Sequence, residues 1–347
     1  MKSLIRSLHL GSLQLKNNIL YAPLAGCSDF PFRKINAHFG PGLMFCEMVK
    51  MDALIRQDSK TRRFLDYDKT MHPIGAQLCG SKPELAGPCA KILEDLGFDV
   101  VDLNCGCPVD KVTKDGSGSG LLKNPELIGD IVHQMVSHVK IPVTVKIRAG
   151  WDSEHINAAL VTKIAESAGA KIITVHGRTR AQAYRGPAKW DYIKECVEAA
   201  STILVIGNGD VLDGPSAKAM LETTGCDGVL VARGTMGKPW IAEDILHYLT
   251  TGEELKKKPL DVRDVFLKHM EYTLGYENEH YALLAMRRIG CWYLRGGKGT
   301  RLLRDSINKS RSLEEVKHLI QSYEWDQTSF DVPPAVEEEE ASCTTCS

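Results

Sequence analysis

The sequence predicts an α/β protein, a TIM (β/α)8 barrel followed by a small C-terminal α-helical domain. Two observations carry this. From Asn18 to about Leu249 one rhythm repeats: an apolar, β-branched run, a loop marked by Gly or Pro, then a helical period. Eight such units in roughly 230 residues match a TIM barrel, whose typical length is about 250. After Leu249 the strand pattern stops, and only helical periodicity follows.

Taken in order, residues 4–15 alternate apolar and polar around Gly11-Ser12, which predicts a β-hairpin. The apolar runs then begin near Ile19, Leu43, Ile74, Val100, Val143, Ile172, Ile203 and Val229. Helical stretches are expected over 82–97, 124–139, 155–169, 190–200 and 214–225. Asn124-Pro125-Glu126 and Asp213-Gly214-Pro215 set proline at helix starts, and Gly97, Gly169 and Gly225 suit left-handed helix ends. A doubly wound open sheet is the alternative. It usually carries Gly-x-Gly-x-x-Gly after its first strand, where this chain has Ala22-Pro23-Leu24-Ala25-Gly26.

The expected division is a barrel over 1–249, a charged linker over 250–260, helices over 261–325 and an acidic disordered tail over 326–347. A net charge of −1 excludes a global field that would draw the molecule onto nucleic acid or membrane, so any such binding needs a local patch. Most of the eleven cysteines sit singly in apolar or helical segments, as reduced thiols in a cytosolic protein do. Lys2 and Arg6 among leucines faintly suggest a signal peptide. Ser7, His9 and Gly11 interrupt the apolar run, and a cytoplasmic location is expected.

Chemistry is expected at the C-terminal ends of the barrel strands. Val100-Val101-Asp102-Leu103-Asn104 reads as a buried strand, and Gly106 and Pro108 break it to leave Cys107 at the exit. A thiol there suits a nucleophile, a metal ligand or a proton donor. The other strand ends give Ala22 to Ala25, Glu47, Gln77, Lys146 with Arg148, His176, Asn208-Gly209-Asp210 and Arg233-Gly234. Glycines after strands seven and eight suit a phosphate held by backbone N–H groups. Gln77 and Lys146 could hydrogen-bond a heteroaromatic ring, and a lysine near a flavin's N1/O2 edge would stabilise the anion formed on reduction. Flavin mononucleotide (FMN) fits that set.

These residues resemble a known family. Ala-Pro-Leu-Ala-Gly at 22–26, Asp29-Phe30-Pro31-Phe32-Arg33, Gln77, Asn104-Cys105-Gly106-Cys107-Pro108, Lys146-Ile147-Arg148, His176-Gly177-Arg178-Thr179 and Asn208-Gly209-Asp210 are similar to the tRNA-dihydrouridine synthases. The resemblance runs to about residue 323 and is closest to the bacterial B-type branch. It implies FMN contacts at Pro23, Leu24, Ala25, Gln77, Lys146, Asn208, Gly209, Asp210, Ala232 and Arg233, with His176 close to the cofactor and Cys107 as proton donor. Ala232 stands where the family often has glycine. Cys105 occupies the variable position of the thiol motif, and an alternating strand would set it on the same face as Cys107.

Reducing the uracil C5=C6 bond needs a hydride at C6 and a proton at C5. FMN reduced by NADPH (or NADH) can give the first. A thiol of pKa about 8.5 is still protonated near neutrality and can give the second, where a carboxylate would already be ionised. The base must also leave its stack, at a cost of a few kcal/mol that an RNA-binding surface must supply. Residues 286–311 carry Arg287, Arg288, Arg295, Lys298, Arg301, Arg304, Lys309 and Arg311 against Asp305, with Trp292 and Tyr293 among them. That mixture reads as a tRNA footprint. Arg178 and Arg180, just past strand six, are expected on RNA phosphate, while Asp29 and Glu47 shape the barrel rim without an assigned role.

Gly116 to Gly120 lacks the Gly-Lys-Ser/Thr of a nucleotide loop and is expected to be a mobile segment that orders over the thiol. Cys343 and Cys346 are half a zinc site without a partner pair and read as incidental; no metal is expected. The B-type resemblance points to the tRNA D-loop and position 17. Nothing implies a protein partner, and a monomer is expected. A dihydroorotate-type flavin reductase of small molecules would share the chemistry without needing the basic helices. A non-catalytic RNA-binding protein would not need the thiol and the lysine.

Overall fold

The computed structural model describes residues 3–330. A short antiparallel hairpin, β1 (Leu8–Leu10) and β2 (Leu13–Leu15), opens the chain as the 4–15 alternation predicts. Eight parallel strands follow: β3 (Ile19–Tyr21), β4 (Leu43–Lys50), β5 (Ile74–Cys79), β6 (Val100–Cys105), β7 (Val143–Arg148), β8 (Ile172–His176), β9 (Leu204–Asn208) and β10 (Gly228–Val231). Each pairs with the next, and β10 pairs with β3, closing the barrel. The expected strand starts agree with the observed ones to within one residue.

Alternation along each strand separates two cores. Outward-facing residues such as Val101, Leu103, Val145, Ile147 and Val175 pack against the surrounding helices. Inward-facing Leu20, Leu43, Phe45, Val100, Ile172, Ile206 and Leu230, which lie toward the strand starts, pack with Leu8, Leu10 and Leu15 of the hairpin. The hairpin therefore plugs the N-terminal end of the barrel with apolar side chains. Further along the same strands the inward positions turn polar, so the functional end is marked by composition alone.

The helices between strands begin and end where the punctuation predicts. Pro125 and Pro215 open theirs, and Asp213 caps the second through Ser216 in a capping box. The helix Ile241–Thr251 closes the barrel portion and ends at left-handed Gly252. Four helices follow, Pro259–Tyr276, Glu279–Tyr293, Arg301–Lys309 and Leu313–Ser322, around a separate core of Phe266, Met270, Met286, Ile289, Tyr293, Ile307 and Ile320. This helical extension docks on the barrel near β3 and its helix Phe30–Ala37. Phe30 stacks on Tyr276 with ring centroids 4.7 Å apart, and Trp292 meets Phe32 edge-on at 6.0 Å. At Gly237 (φ +75°) a Cβ would lie 2.2 Å from the Trp292 carbonyl oxygen, so only glycine lets the loop after β10 approach the extension this closely.

The C-terminal boundary of the helical unit differs from expectation. Trp325 is buried in the extension's core, its indole N–H donates to the Ile320 carbonyl, and the Ser329 carbonyl accepts from the Lys298 amide. Packing thus continues past residue 325. The acidic run and Cys343 and Cys346 lie outside the described residues.

Candidate active site

Register brings three polar side chains into one row. Gln77 on β5 pairs with Asp102 on β6, and Asp102 pairs with Thr144 on β7. All three point inward and are buried. Asp102 accepts from Gln77 Nε2 at 2.6 Å and from Thr144 Oγ1 at 2.6 Å. Gln77 Oε1 accepts from Asn104 Nδ2 at 2.7 Å. Asn104 Oδ1 in turn accepts from the amides of Gly106 and Cys107 at 3.1 and 2.9 Å. A chain of hydrogen bonds therefore runs from the barrel interior to the thiol loop. Burial pushes the Asp102 carboxyl up to about 6, against the pull of its two donors and Lys146.

The strand ends at Cys105, so its alternation does not continue to Cys107. Cys105 is fully buried among the outward-facing core residues, whereas Cys107 sits in the following loop and is partly accessible. Backbone geometry thus separates two thiols that alternation alone would put together. Burial raises the Cys107 pKa, and Arg148 and Lys50 oppose the rise, so at neutral pH the sulfur keeps its proton. Arg148 Nε also donates to the Gly106 carbonyl at 2.8 Å.

The Gly116–Gly120 segment is not a lid over the thiol. Ser117 and Ser119 are buried, and Ser119 donates to the Cys107 carbonyl through both its amide and its hydroxyl. A Cβ at Gly118 would meet that same carbonyl at 2.9 Å. The segment instead supports the loop from behind.

Cations converge across the rest of the mouth. Lys146 Nζ donates to Asn208 Oδ1 at 3.0 Å, and burial with Arg148 nearby brings its ammonium down to about 8. His176 is held well below its usual pKa by burial and by Arg148, Lys146, Arg178 and Arg233, so the imidazole is neutral. Gly209 (φ +113°) follows β9, where a Cβ would lie 2.7 Å from Ala188 and 3.0 Å from His176. Ala232 has φ −109°, outside the left-handed region that calls for glycine. Tyr184, which sequence reasoning missed, lies exposed under both Arg148 and Arg233 at 5.5 and 5.8 Å. A mouth so rich in cations, in a chain of net charge −1, favours an anionic ligand.

The cations expected on RNA divide into two groups. Arg178 is only 3% exposed; it donates to Asp210 at 2.8 and 2.9 Å, to the Gly186 carbonyl, and to His176 Nε2. Its guanidinium is used up inside the site and does not face outward, which corrects the expected phosphate contact. Arg180 pairs with Asp110 and covers the Trp151 ring. Arg287 is half-buried and donates to the Ser310 carbonyl. Arg288, on the surface, donates to the Gly26 carbonyl at 2.6 Å and so ties the extension to the loop after β3. Arg295, Lys298 and Arg301 are exposed. Tyr293 is a core residue stacked on Phe266, and Trp292 lies at the junction with the barrel, so neither offers a platform for a base.

Glu47 and Asp29 have structural partners at the rim. Glu47 accepts from the Gly26 amide at 2.5 Å, and Asp29 caps the helix Phe30–Ala37 through the Phe32 amide.

Residues 20–328 match the family model described as Dihydrouridine synthase (Dus). The chain belongs to the dihydrouridine synthase family. It is 40% identical over 319 residues to a "Probable tRNA-dihydrouridine synthase" of Rickettsia conorii, covering 90% of this chain and 95% of that one. It is 37% identical to the tRNA-dihydrouridine synthase B of Pseudomonas putida, covering 87% and 90%. With the tRNA-dihydrouridine synthase B of Vibrio cholerae the identity is 33%, over 90% and 98%. Among solved structures, histamine dehydrogenase from Rhizobium sp. 4-9 matches with TM-score 0.55 at 15% identity, covering 78% of this chain and 51% of that one. Morphinone reductase in complex with tetrahydroNAD matches with TM-score 0.52 at 14% identity, covering 76% and 94%. Both share the barrel fold with this member of the dihydrouridine synthase family.

Proposed function

We propose that this protein reduces specific uridines in the D-loop of tRNA to 5,6-dihydrouridine, with FMN as cofactor and NADPH or NADH as reductant. One observation carries the reading: a partly accessible, protonated thiol shares the barrel mouth with a converging set of cations and amides.

The donor set fits the flavin. At Gly209 a Cβ would run into Ala188 and His176, so the backbone after β9 carries no side chain there, and Arg233, just past β10, pairs with the neighbouring Asp210 and is suited to a phosphate. Lys146 and Gln77 offer N–H groups to a ring edge, while Pro23, Leu24 and Ala25 lie in the loop that follows β3. Asn208, Asp210, Ala232 and the neutral His176 complete the set. When bound and reduced, the flavin supplies a hydride for uracil C6. Cys107 holds the proton for C5 at its sulfur, and the Asn104 tether keeps that sulfur at the mouth. A neutral His176 adds a hydrogen-bonding group without another full charge beside Lys146.

The unit over 1–249 performs the reduction, and the helices over 261–325 hold the tRNA through Arg295, Lys298 and Arg301. The test compares bulk tRNA lacking dihydrouridine with free uracil and orotate as electron acceptors for the flavin-loaded protein. A two-dalton mass gain confined to tRNA supports the reading. Turnover of orotate in preference to tRNA, or full activity of Cys107→Ser, removes it; the serine variant is expected to lose about 10²- to 10⁴-fold.

A further inference from the structure

Asp102 is a carboxylate sealed inside the barrel, 3% exposed, where an aliphatic residue would be expected. Its two oxygens each accept one hydrogen bond, from Gln77 Nε2 and Thr144 Oγ1. An ionised carboxylate only accepts, and this gives the chain beyond it a direction. Gln77 must turn its NH2 toward Asp102, which leaves its carbonyl for Asn104 Nδ2. Asn104 must then turn its own carbonyl toward the Gly106 and Cys107 amides. With every amide reversed, Asn104 would present NH2 to two N–H groups, and both would lose their acceptor.

We propose that Asp102 is a positioning residue whose carboxylate fixes the direction of the Gln77–Asn104 amide chain and thereby the seat of the Cys107 loop. The assignment rests on reading Cys107 as the proton donor. Asp102 touches neither the thiol nor the mouth directly. Its effect passes through Gln77 and Asn104, so its loss alters where the sulfur stands without changing the residues that meet the substrate. In Asp102→Asn the new amide can present either its oxygen or its NH2 to Gln77, and both orders of the chain become accessible.

The experiment measures iodoacetamide alkylation of the Cys107 peptide in flavin-free protein, and kcat and KM for tRNA in flavin-loaded protein. Asp102→Asn is expected to alkylate Cys107 about threefold faster or more, and to lower kcat roughly tenfold with KM for tRNA held within about twofold. The double variant Asp102→Asn/Gln77→Glu moves the acceptor-only group to position 77. There a carboxylate can accept both from the amide introduced at position 102 and from Asn104, so the alkylation rate should return toward that of the parent. Unchanged alkylation and kcat in Asp102→Asn overturn the proposal, as does a double variant that alkylates as fast as the single one. Should Asp102→Asn not fold, Asp102→Ser sets a hydroxyl that both donates and accepts beside Gln77, so the direction of the amide chain is again unset and alkylation should still rise about twofold; no rise overturns the proposal. A parent that does not reduce tRNA would remove the proposed function, while the alkylation comparison would still decide the role of Asp102.

Discussion

Arg178 and Asp210 form an ion pair at 2.8 Å between the loops after β8 and β9, with the arginine buried and the aspartate 30% exposed at its side chain. The same guanidinium holds the Gly186 carbonyl, so it joins two loops of the mouth. Removing it would strand Asp210 and the carbonyl together. Arg178→Ala is expected to lower stability by about 2–3 kcal/mol, toward the low side of a broken buried pair because Asp210 reaches water. Its flavin-loaded form should bind tRNA with the parent's affinity and salt dependence. A weakened salt dependence with unchanged melting would restore Arg178 as a phosphate ligand.

Arg295, Lys298 and Arg301 stand exposed on the extension, unlike Arg178, Arg180 and Arg287, whose guanidiniums have acceptors within the protein. Arg295→Ala and Arg301→Ala should each weaken tRNA binding and reduce the slope of log K against log salt by about 0.7–0.9 for each phosphate no longer neutralised. kcat at saturating tRNA should hold. The combined variant should show additive slope changes, since surface charges at separate phosphates act independently. Parent-like slopes in both single variants would move the RNA surface elsewhere.

The barrel is legible in the sequence because its signal is redundant. Eight apolar runs, the spaces between them and the glycine and proline punctuation all point the same way, so an error in one element does not change the answer. The site is legible at strand ends for a related reason: Lys146, His176 and Asn208 are polar residues at inward positions of apolar strands. Asp102 carries the same signal, a carboxylate two residues before Asn104 on the same face, but the neighbouring thiol motif is the louder one and hides it. What composition cannot reveal is which cations are already paired. Arg178 and Arg295 read alike in sequence, and only the fold brings Asp210 to one and solvent to the other. Tyr293 departs from expectation on the same ground, since a helix gives an aromatic residue either a core face or an outer one, and neighbouring arginines do not decide which.

Lys146 is held in an environment that disfavours its charge, with its pKa brought from 10.5 down to about 8. Between those values the unfolded chain binds more protons than the native one, so the lysine's contribution to stability rises with pH and is unfavourable at neutrality. Lys146→Met should therefore stabilise the flavin-free protein at pH 7 by about 1–2 kcal/mol. This is less than the full shift implies, because Asn208 loses a donor. The same variant should bind flavin more weakly. Thermal melts at pH 7 and pH 10, with and without flavin, check both halves. The advantage should shrink at pH 10, and a variant less stable than the parent at both values would refute the assignment.

Asp102 gives a pH dependence of the opposite slope. Its folded pKa of about 6 lies above the ordinary 3.8 because burial outweighs the Thr144 and Gln77 donors and the Lys146 charge that face it. From about pH 4 to 6 the native state then holds a proton that the unfolded chain has released, so the aspartate's contribution falls as pH rises through that window. At about 1.4 kcal/mol per pKa unit the full span is worth roughly 3 kcal/mol. Asp102→Asn has no such titration. The stability of the variant relative to the parent should thus climb by up to about 3 kcal/mol between pH 4 and pH 7, measured by urea unfolding of flavin-free protein. The acid form of Asp102 gains a donor and can reverse the amide chain, so Cys107 alkylation, corrected for thiolate fraction, should also quicken below pH 6 in the parent and stay flat in the variant. A parent and variant that keep a constant stability difference across the window would show that the carboxyl titrates in its ordinary range, with water or another donor reaching the barrel interior.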